Sequence, residues 1–188
     1  MFLTEWFKKY NLVILRESIE NEELDANFPR VVYSDELNLL GFDQAFIYKK
    51  DPGIPICWAV ERKYYYCGEL IAWARGGDIY HEPKIQFYNE KHKKLNPIDL
   101  DLLLEFNKEK LFIIENEAMD FIKSTYNKYE KSFDAFASAF SGGKDSQVVL
   151  DLVSRAIGAK NFYAAYTDTG MELPCTLDTV KETQLIYK

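Results

Sequence analysis

Phe133-Asp-Ala-Phe-Ala-Ser-Ala-Phe140, followed at once by Ser141-Gly-Gly-Lys-Asp-Ser146, is the stretch on which the fold turns. The first eight residues are small and aromatic, the composition of a short strand buried on both faces of a parallel sheet. After the glycines, Val148, Val149, Leu152, Val153, Ala156 and Ile157 recur on one face of a helix, and Gly158 closes it as a C-terminal cap. Phe162-Tyr-Ala-Ala-Tyr-Thr167 repeats the strand texture and ends in Asp168-Thr169-Gly170, after which Pro174 opens another helical stretch. Strand, glycine loop, helix, strand, helix is the beginning of a parallel α/β sheet with right-handed crossovers.

The loop between strand and helix carries the chemistry. Gly142 and Gly143 let several backbone N–H groups turn toward one point, and they let an anion approach the main chain closely. A helix starting near Asp145 aims its unpaired N–H groups and partial positive charge at that point. Ser141 and Ser146 add hydroxyls and Lys144 a full positive charge, so Ser141, Gly142, Gly143, Lys144, Asp145 and Ser146 together read as a phosphate or pyrophosphate cradle. Asp145 repels phosphate unless it holds Mg²⁺, orders Lys144 or caps the helix, and the sequence admits all three. The G-x-x-x-x-G-K-[ST] spacing of a Walker A loop is absent.

Upstream the texture differs. Phe42 to Tyr48, Ile54 to Val60, Lys63 to Cys67 and Glu69 to Ala74 are aromatic or β-branched runs broken by Pro52-Gly53, Gly68 and Gly76-Gly77. That spacing predicts a small antiparallel meander. Asn96-Pro97 then supplies a cap and a first-turn proline for a helix over Ile98–Phe106, and Leu111, Ile114, Ala118, Phe121 and Ile122 predict a second helix running to Tyr129. Three segments are expected: a β-rich leader over 1–95, a helical linker over 96–131 and a nucleotide-binding segment over 132–188. Residues 1 to 40 show no clear element signal. A parallel sheet needs more than two strands to cover its faces, so a longer protein with a further C-terminal part is expected.

Composition sets outer bounds. With 23 basic and 30 acidic side chains among 188 residues, the formal charge is −7, which argues against a protein whose whole surface is devoted to nucleic acid but leaves room for a local cationic groove. No run approaches the roughly 18 consecutive apolar residues of a membrane span, and no signal peptide is visible. Three cysteines fit a reducing compartment, so a cytoplasmic location is expected. Cys57, Cys67, His81 and His92 match no compact zinc spacing and read as buried thiols and surface imidazoles. Trp58, Trp73 and Tyr64 to Tyr66 could stack on bases, although a packed meander face explains them more simply. Lys91-His92-Lys93-Lys94 reads as a solvated loop, and Glu61, Arg62 and Arg75 form no visible constellation.

Ser141-Gly-Gly-Lys-Asp-Ser146 resembles the pyrophosphate loop of the PP-loop (N-type) ATP pyrophosphatase superfamily. Asp168-Thr-Gly-Met-Glu-Leu-Pro174 resembles the Asp-Thr-Gly-x-x-x-Pro segment of its phosphoadenosine phosphosulfate reductase-like branch, and Trp58, Tyr64 to Tyr66, Gly68-Glu69 and Gly76-Gly77 are similar to the leader of larger members. The resemblance implies a parallel sheet of about five strands covered by helices. It implies that residues 141 to 146 bind the phosphates of ATP or of a sulfonucleotide (PAPS or APS), with Asp168 and Thr169 on the nucleoside or metal side and Mg²⁺ as a companion ion. Lys144 and Asp145 are the implied catalytic pair. The implied reaction is reductase-type sulfonucleotide chemistry or, alternatively, ATP cleavage between the α and β phosphates in sulfur modification of nucleic acid, DNA phosphorothioation or tRNA thiolation. Cys175 stands where the family commonly has Glu, and the Glu-Cys-Gly-x-His-type segment of the reductases is absent from these residues, so the fragment alone is not expected to reduce a sulfonucleotide.

Overall fold

The computed structural model describes residues 2–19, 22, 28–78, 80–88 and 93–187. Lys91 and His92, part of the solvated loop expected from the sequence, lie outside the described residues. The chain divides into two compact units, Met1–Lys110 and Leu111–Lys188.

The first unit begins with a hairpin that the sequence did not announce. Strands β1 (Phe2–Phe7) and β2 (Leu12–Glu17) pair antiparallel around a turn in which Asn11 takes a left-handed φ of 54°. Next come β3 (Arg30–Tyr33), the short helix α1 (Ser34–Leu39), β4 (Ile47–Tyr48), β5 (Pro55–Val60), β6 (Lys63–Tyr66), β7 (Glu69–Arg75), β8 (Lys84–Phe87) and β9 (Lys94–Leu95). The five strands β3-β5-β6-β7-β8 form one antiparallel sheet in that order. The expected meander is therefore present, with Cys67 and Gly68 both at positive φ in the two-residue turn that joins β6 to β7.

Phe42 to Tyr48 departs from the expected strand. Phe42–Gln44 forms a 3₁₀ turn, and β4 pairs parallel with β9 outside the main sheet. The reason is packing: Phe42 is fully buried and stacks its ring against Phe46, Tyr64 and Phe87 at centroid distances of 5.8, 5.1 and 5.3 Å. A strand would put Phe42 and Phe46 on one face but about 13 Å apart, whereas the turn brings the two rings together in one core with Leu37, Ile56 and Ile71. The opposite face of the sheet, at Trp58, is covered by Leu12, Val13 and Ile98.

Asn11 ties the hairpin to the sheet. Its side chain donates to Ile56 O (3.2 Å) and accepts from the Cys67 N–H (2.7 Å), while its carbonyl accepts from Trp58 Nε1 (2.9 Å). Asn11→Ala strands two buried partners and puts a Cβ residue that tolerates positive φ poorly into the turn, so it is expected to cost about 2–4 kcal/mol. Urea denaturation followed by tryptophan fluorescence should show the midpoint falling with the slope unchanged; an unmoved midpoint would contradict this role.

One helix stands where two were expected. Helix α2 (Leu100–Tyr129) runs for 30 residues without interruption, because Asn107 to Lys110 contains no glycine or proline to break it. The helix starts at Leu100 rather than after Asn96, and Asp99 accepts the Leu102 N–H at 3.0 Å as its cap. Asn107, buried mid-helix, donates to Val13 O and Leu103 O and accepts from the Leu15 N–H, fixing the first part of α2 to β2.

In the second unit, β10 (Ala137–Ala139) pairs parallel with β11 (Tyr163–Ala165), joined through α3 (Lys144–Ile157) and followed by α4 (Pro174–Ile186). Mixed α/β architecture with a parallel pair is thus the fold, as the loop and its flanking runs implied. Burial is where the expectation fails. Ala137, Ala139 and all of β11 are exposed, and of the α3 stripe Val148 and Val149 stand 59% and 48% exposed. A sheet of two strands offers α3 only a narrow surface, so Phe140, Leu150 and Val180 make up its small buried core. Among the described residues no helix is long and apolar enough to cross a membrane.

Candidate functional site

The loop from Ser141 to Ser146 occupies the C-terminal end of β10 and leads straight into α3. Gly142 adopts φ +78°, and a Cβ there would lie 3.0 Å from Thr176 Cγ2, so only glycine fits both the backbone angle and the close approach of α4's first turn. Gly143 is extended (φ −83°, ψ 161°) and stands at the N-cap without a side-chain cap hydrogen bond. Gln147 is the first helical residue whose N–H finds a carbonyl, Gly143 O at 3.1 Å. The amides of Lys144, Asp145 and Ser146 precede it and have no intrahelical acceptor. They are the donors that an anion at this helix end would meet.

The two serines brace the bend. The Ser146 hydroxyl donates to Gly143 O (2.9 Å) and accepts from the Ser141 N–H (3.2 Å), and Ser141 Oγ stands 3.1 Å from Ser146 Oγ. This small network holds the loop's curvature. Lys144 Nζ meets Asp145 Oδ1 at 2.6 Å, so of the three roles open to Asp145 the structure displays the ordering of Lys144. Both side chains are about nine-tenths exposed (90% and 89%). Such a pair contributes little and is screened by salt, so Lys144 can leave it for a polyanion at small cost.

A cavity of about 370 Å³ opens at the ends of β10 and β11, lined by Ala139, Phe140, Ser141, Ala165, Tyr166, Thr167 and Glu172. This is where open α/β sheets place ligands, outside the carboxyl ends of the strands. Of the candidate site residues, Ser141 lines this cavity. Asp168 instead accepts its own loop's Gly170 N–H (2.8 Å), and Thr169 Oγ1 donates to Glu172 Oε1 (3.0 Å).

Tyr166 and Glu172 were not singled out from the sequence. The Tyr166 hydroxyl is buried without a hydrogen-bond partner, and burial, followed by the charges of Glu172 and Asp168, pushes its pKa up. Nothing in the alternation of Phe162 to Thr167 marks that oxygen; Tyr166 directly follows β11 and lines the cavity. Elsewhere, Cys57 is buried at the sheet's centre, Cys67 is half-buried and His81 pairs with Asp78 at 2.8 Å. Among the described residues no three His, Cys, Asp or Glu side chains gather as a metal site. Asp145 is the carboxylate that the loop itself offers, and Lys144 pairs with it.

Residues 135–188 match the sequence model of the phosphoadenosine phosphosulfate reductase domain. Two curated relatives come from Methanocaldococcus jannaschii, Uncharacterized protein MJ0066 (36% identical over 112 residues, 55% of this chain and 22% of that protein) and Uncharacterized protein MJ0973 (31% identical over 90 residues, 48% and 21%). The matched stretches thus span about a fifth of the length of these relatives. No solved structure matches the chain. A glycine loop between a parallel strand and a helix, at the head of the matched segment, agrees with the PP-loop nucleotide-binding architecture of that family, to whose phosphoadenosine phosphosulfate reductase domain residues 135–188 are similar.

Proposed function

We propose that the second unit binds an adenine nucleotide, ATP or a sulfonucleotide, with its phosphates on residues 141 to 146. The observation that carries this reading is the cavity at the ends of two parallel strands, bordered by Ser141, the residue at which the glycine bend before α3 begins. In this reading the amides of Lys144, Asp145 and Ser146 meet phosphate oxygens, and Lys144 leaves Asp145 to neutralise them. Asp145 holds the ammonium near the bend until phosphate arrives. The Tyr166 hydroxyl donates to the ligand and thereby gains the partner that it lacks.

For ATP, the chemistry that follows is attack of a substrate oxygen on the α phosphorus with departure of pyrophosphate. Lys144 and the loop amides would stabilise the charge that collects on the leaving group, an electrostatic role fulfilled by preset donors. Gly142 lets α4's first turn pack against the bend, which fixes the loop on which the phosphates would sit. The substrate that receives the adenylyl group, or the reductant that acts on a bound sulfonucleotide, would meet the nucleotide across the cavity.

Calorimetry of the 188-residue chain with ATP and with adenosine phosphosulfate tests the site. Lys144→Ala is expected to weaken whichever ligand binds by roughly 10- to 100-fold, the range for losing a hydrogen bond between charged groups. Equal affinity in the variant and the unchanged chain would remove the assignment. Release of pyrophosphate from ATP supports the adenylyl-transfer reading, and reduction of the sulfonucleotide supports the other.

A further inference from the structure

The face of the main sheet turned away from the Phe42 core carries a cationic platform. Trp73 lies opposite Lys63 on β6 and opposite Gln86 on β8, and Arg75 follows two residues later on the same face. Arg75 Cζ stacks 3.8 Å from the centroid of the Trp73 ring, and Lys63 Nζ approaches the same ring at 5.2 Å. Arg75 pairs directly with Lys84 across β7 and β8, two like charges set side by side. Such a pair destabilises a sheet unless something neutralises it. Among the described residues Lys63, Arg75 and Lys84 make no ion pair, although the chain as a whole carries seven more acidic than basic groups. Arg75 reaches Tyr88 Oη at 3.4 Å, which steadies the guanidinium on the indole.

We propose that this face of β6, β7 and β8, centred on the Arg75–Trp73 stack between Lys63 and Lys84, docks an unpaired stretch of RNA. Three features of the patch select that partner. A guanidinium lying flat on an indole offers a planar, positively charged surface on which an unstacked base can lie. The unneutralised cations at its edges suit the phosphates that flank such a base, and binding a polyanion relieves the repulsion between Arg75 and Lys84. The β1–β2 hairpin covers this face at Trp58, and the stretch around Trp73 is a flat part of the sheet that can receive splayed bases, which loops and ends of RNA supply without melting a helix.

Fluorescence anisotropy of the 188-residue chain with a labelled 12-mer of oligouridylate is the test. Binding at micromolar concentration that weakens as salt rises is expected, with Trp73→Ala lowering affinity about 10-fold and Arg75→Glu abolishing it. Trp73→Phe should restore most of the affinity lost in Trp73→Ala, which separates stacking from damage to the sheet; circular dichroism melts of each variant check folding. No binding at 100-fold above that concentration (about 0.1 mM), an unchanged affinity in Trp73→Ala, or equal competition by poly-aspartate would overturn the proposal. Tighter binding of the matching deoxythymidine 12-mer would overturn the choice of RNA. Lys144→Ala should leave oligouridylate binding untouched, so failure at this face and failure at the phosphate loop are read separately.

Discussion

Gly142→Val should abolish nucleotide binding, with a loss of more than about 100-fold, and lower the stability of the second unit by about 2–5 kcal/mol. Two costs combine. A β-branched residue at φ +78° occupies a region that L-residues avoid by roughly 1–2 kcal/mol, and its Cβ would press on Thr176 Cγ2 at 3.0 Å, an overpacking that costs roughly 1–3 kcal/mol more. Relief of either strain turns the peptide planes on both sides of residue 142 and so disperses the amides of the helix start. Calorimetry and urea denaturation check the two halves of the expectation. Thr176→Ser in the same chain removes the methyl that the new Cβ meets, so it should recover the steric part of the stability and little of the affinity. A Gly142→Val chain that binds ATP as well as the unchanged chain would show that the loop does not hold phosphate.

Phe42→Ala should be the most damaging single change in the first unit, at about 3–5 kcal/mol. Phe42 is fully buried and touches three other rings, so its removal leaves a cavity whose rigid aromatic walls cannot close. Domain stabilities lie near 5–15 kcal/mol, which makes this a large share of the total. With a urea slope of about 2 kcal/mol per molar, the midpoint should fall by about 2 M. Phe42→Leu, which keeps most of the volume, should cost less than half as much. A midpoint displaced by no more than about 0.3 M in the alanine variant would mean that the 3₁₀ turn is not part of the unit's core.

The phosphate loop was legible in the sequence because its parts are local: two glycines, two hydroxyls and an ammonium group within six residues, set between an apolar run and a helical stripe. The meander was legible for the same reason, since Pro52-Gly53, Gly68 and Gly76-Gly77 mark its breaks, although the Glu61-Arg62 turn between β5 and β6 carries no such mark. Three features were not. Phe42 lies in a run that satisfies strand propensity, and contacts with Tyr64 and Phe87, distant in the chain, decide for a turn instead. The break expected near Asn107 rested on a change in the apolar pattern, whereas the helix continues and uses the amide to bond β2. Arg75 formed no constellation along the chain because its partners, Lys84 and Tyr88, meet it only once β7 and β8 pair. The buried strands expected from 133 to 140 and 162 to 167 went wrong for a different reason. Small apolar residues state that a surface can be covered, not that the neighbouring elements cover it.

The three thiols also make the molecule its own clock. Cys57 sits at the centre of the main sheet, where burial drives its pKa far above the ordinary range, while Cys175 lies open to solvent at the start of α4. An alkylating reagent therefore marks Cys175 at once and reaches Cys57 only when the sheet parts, so the lag between the two modifications measures how often the first unit breathes open, with no added dye or engineered label.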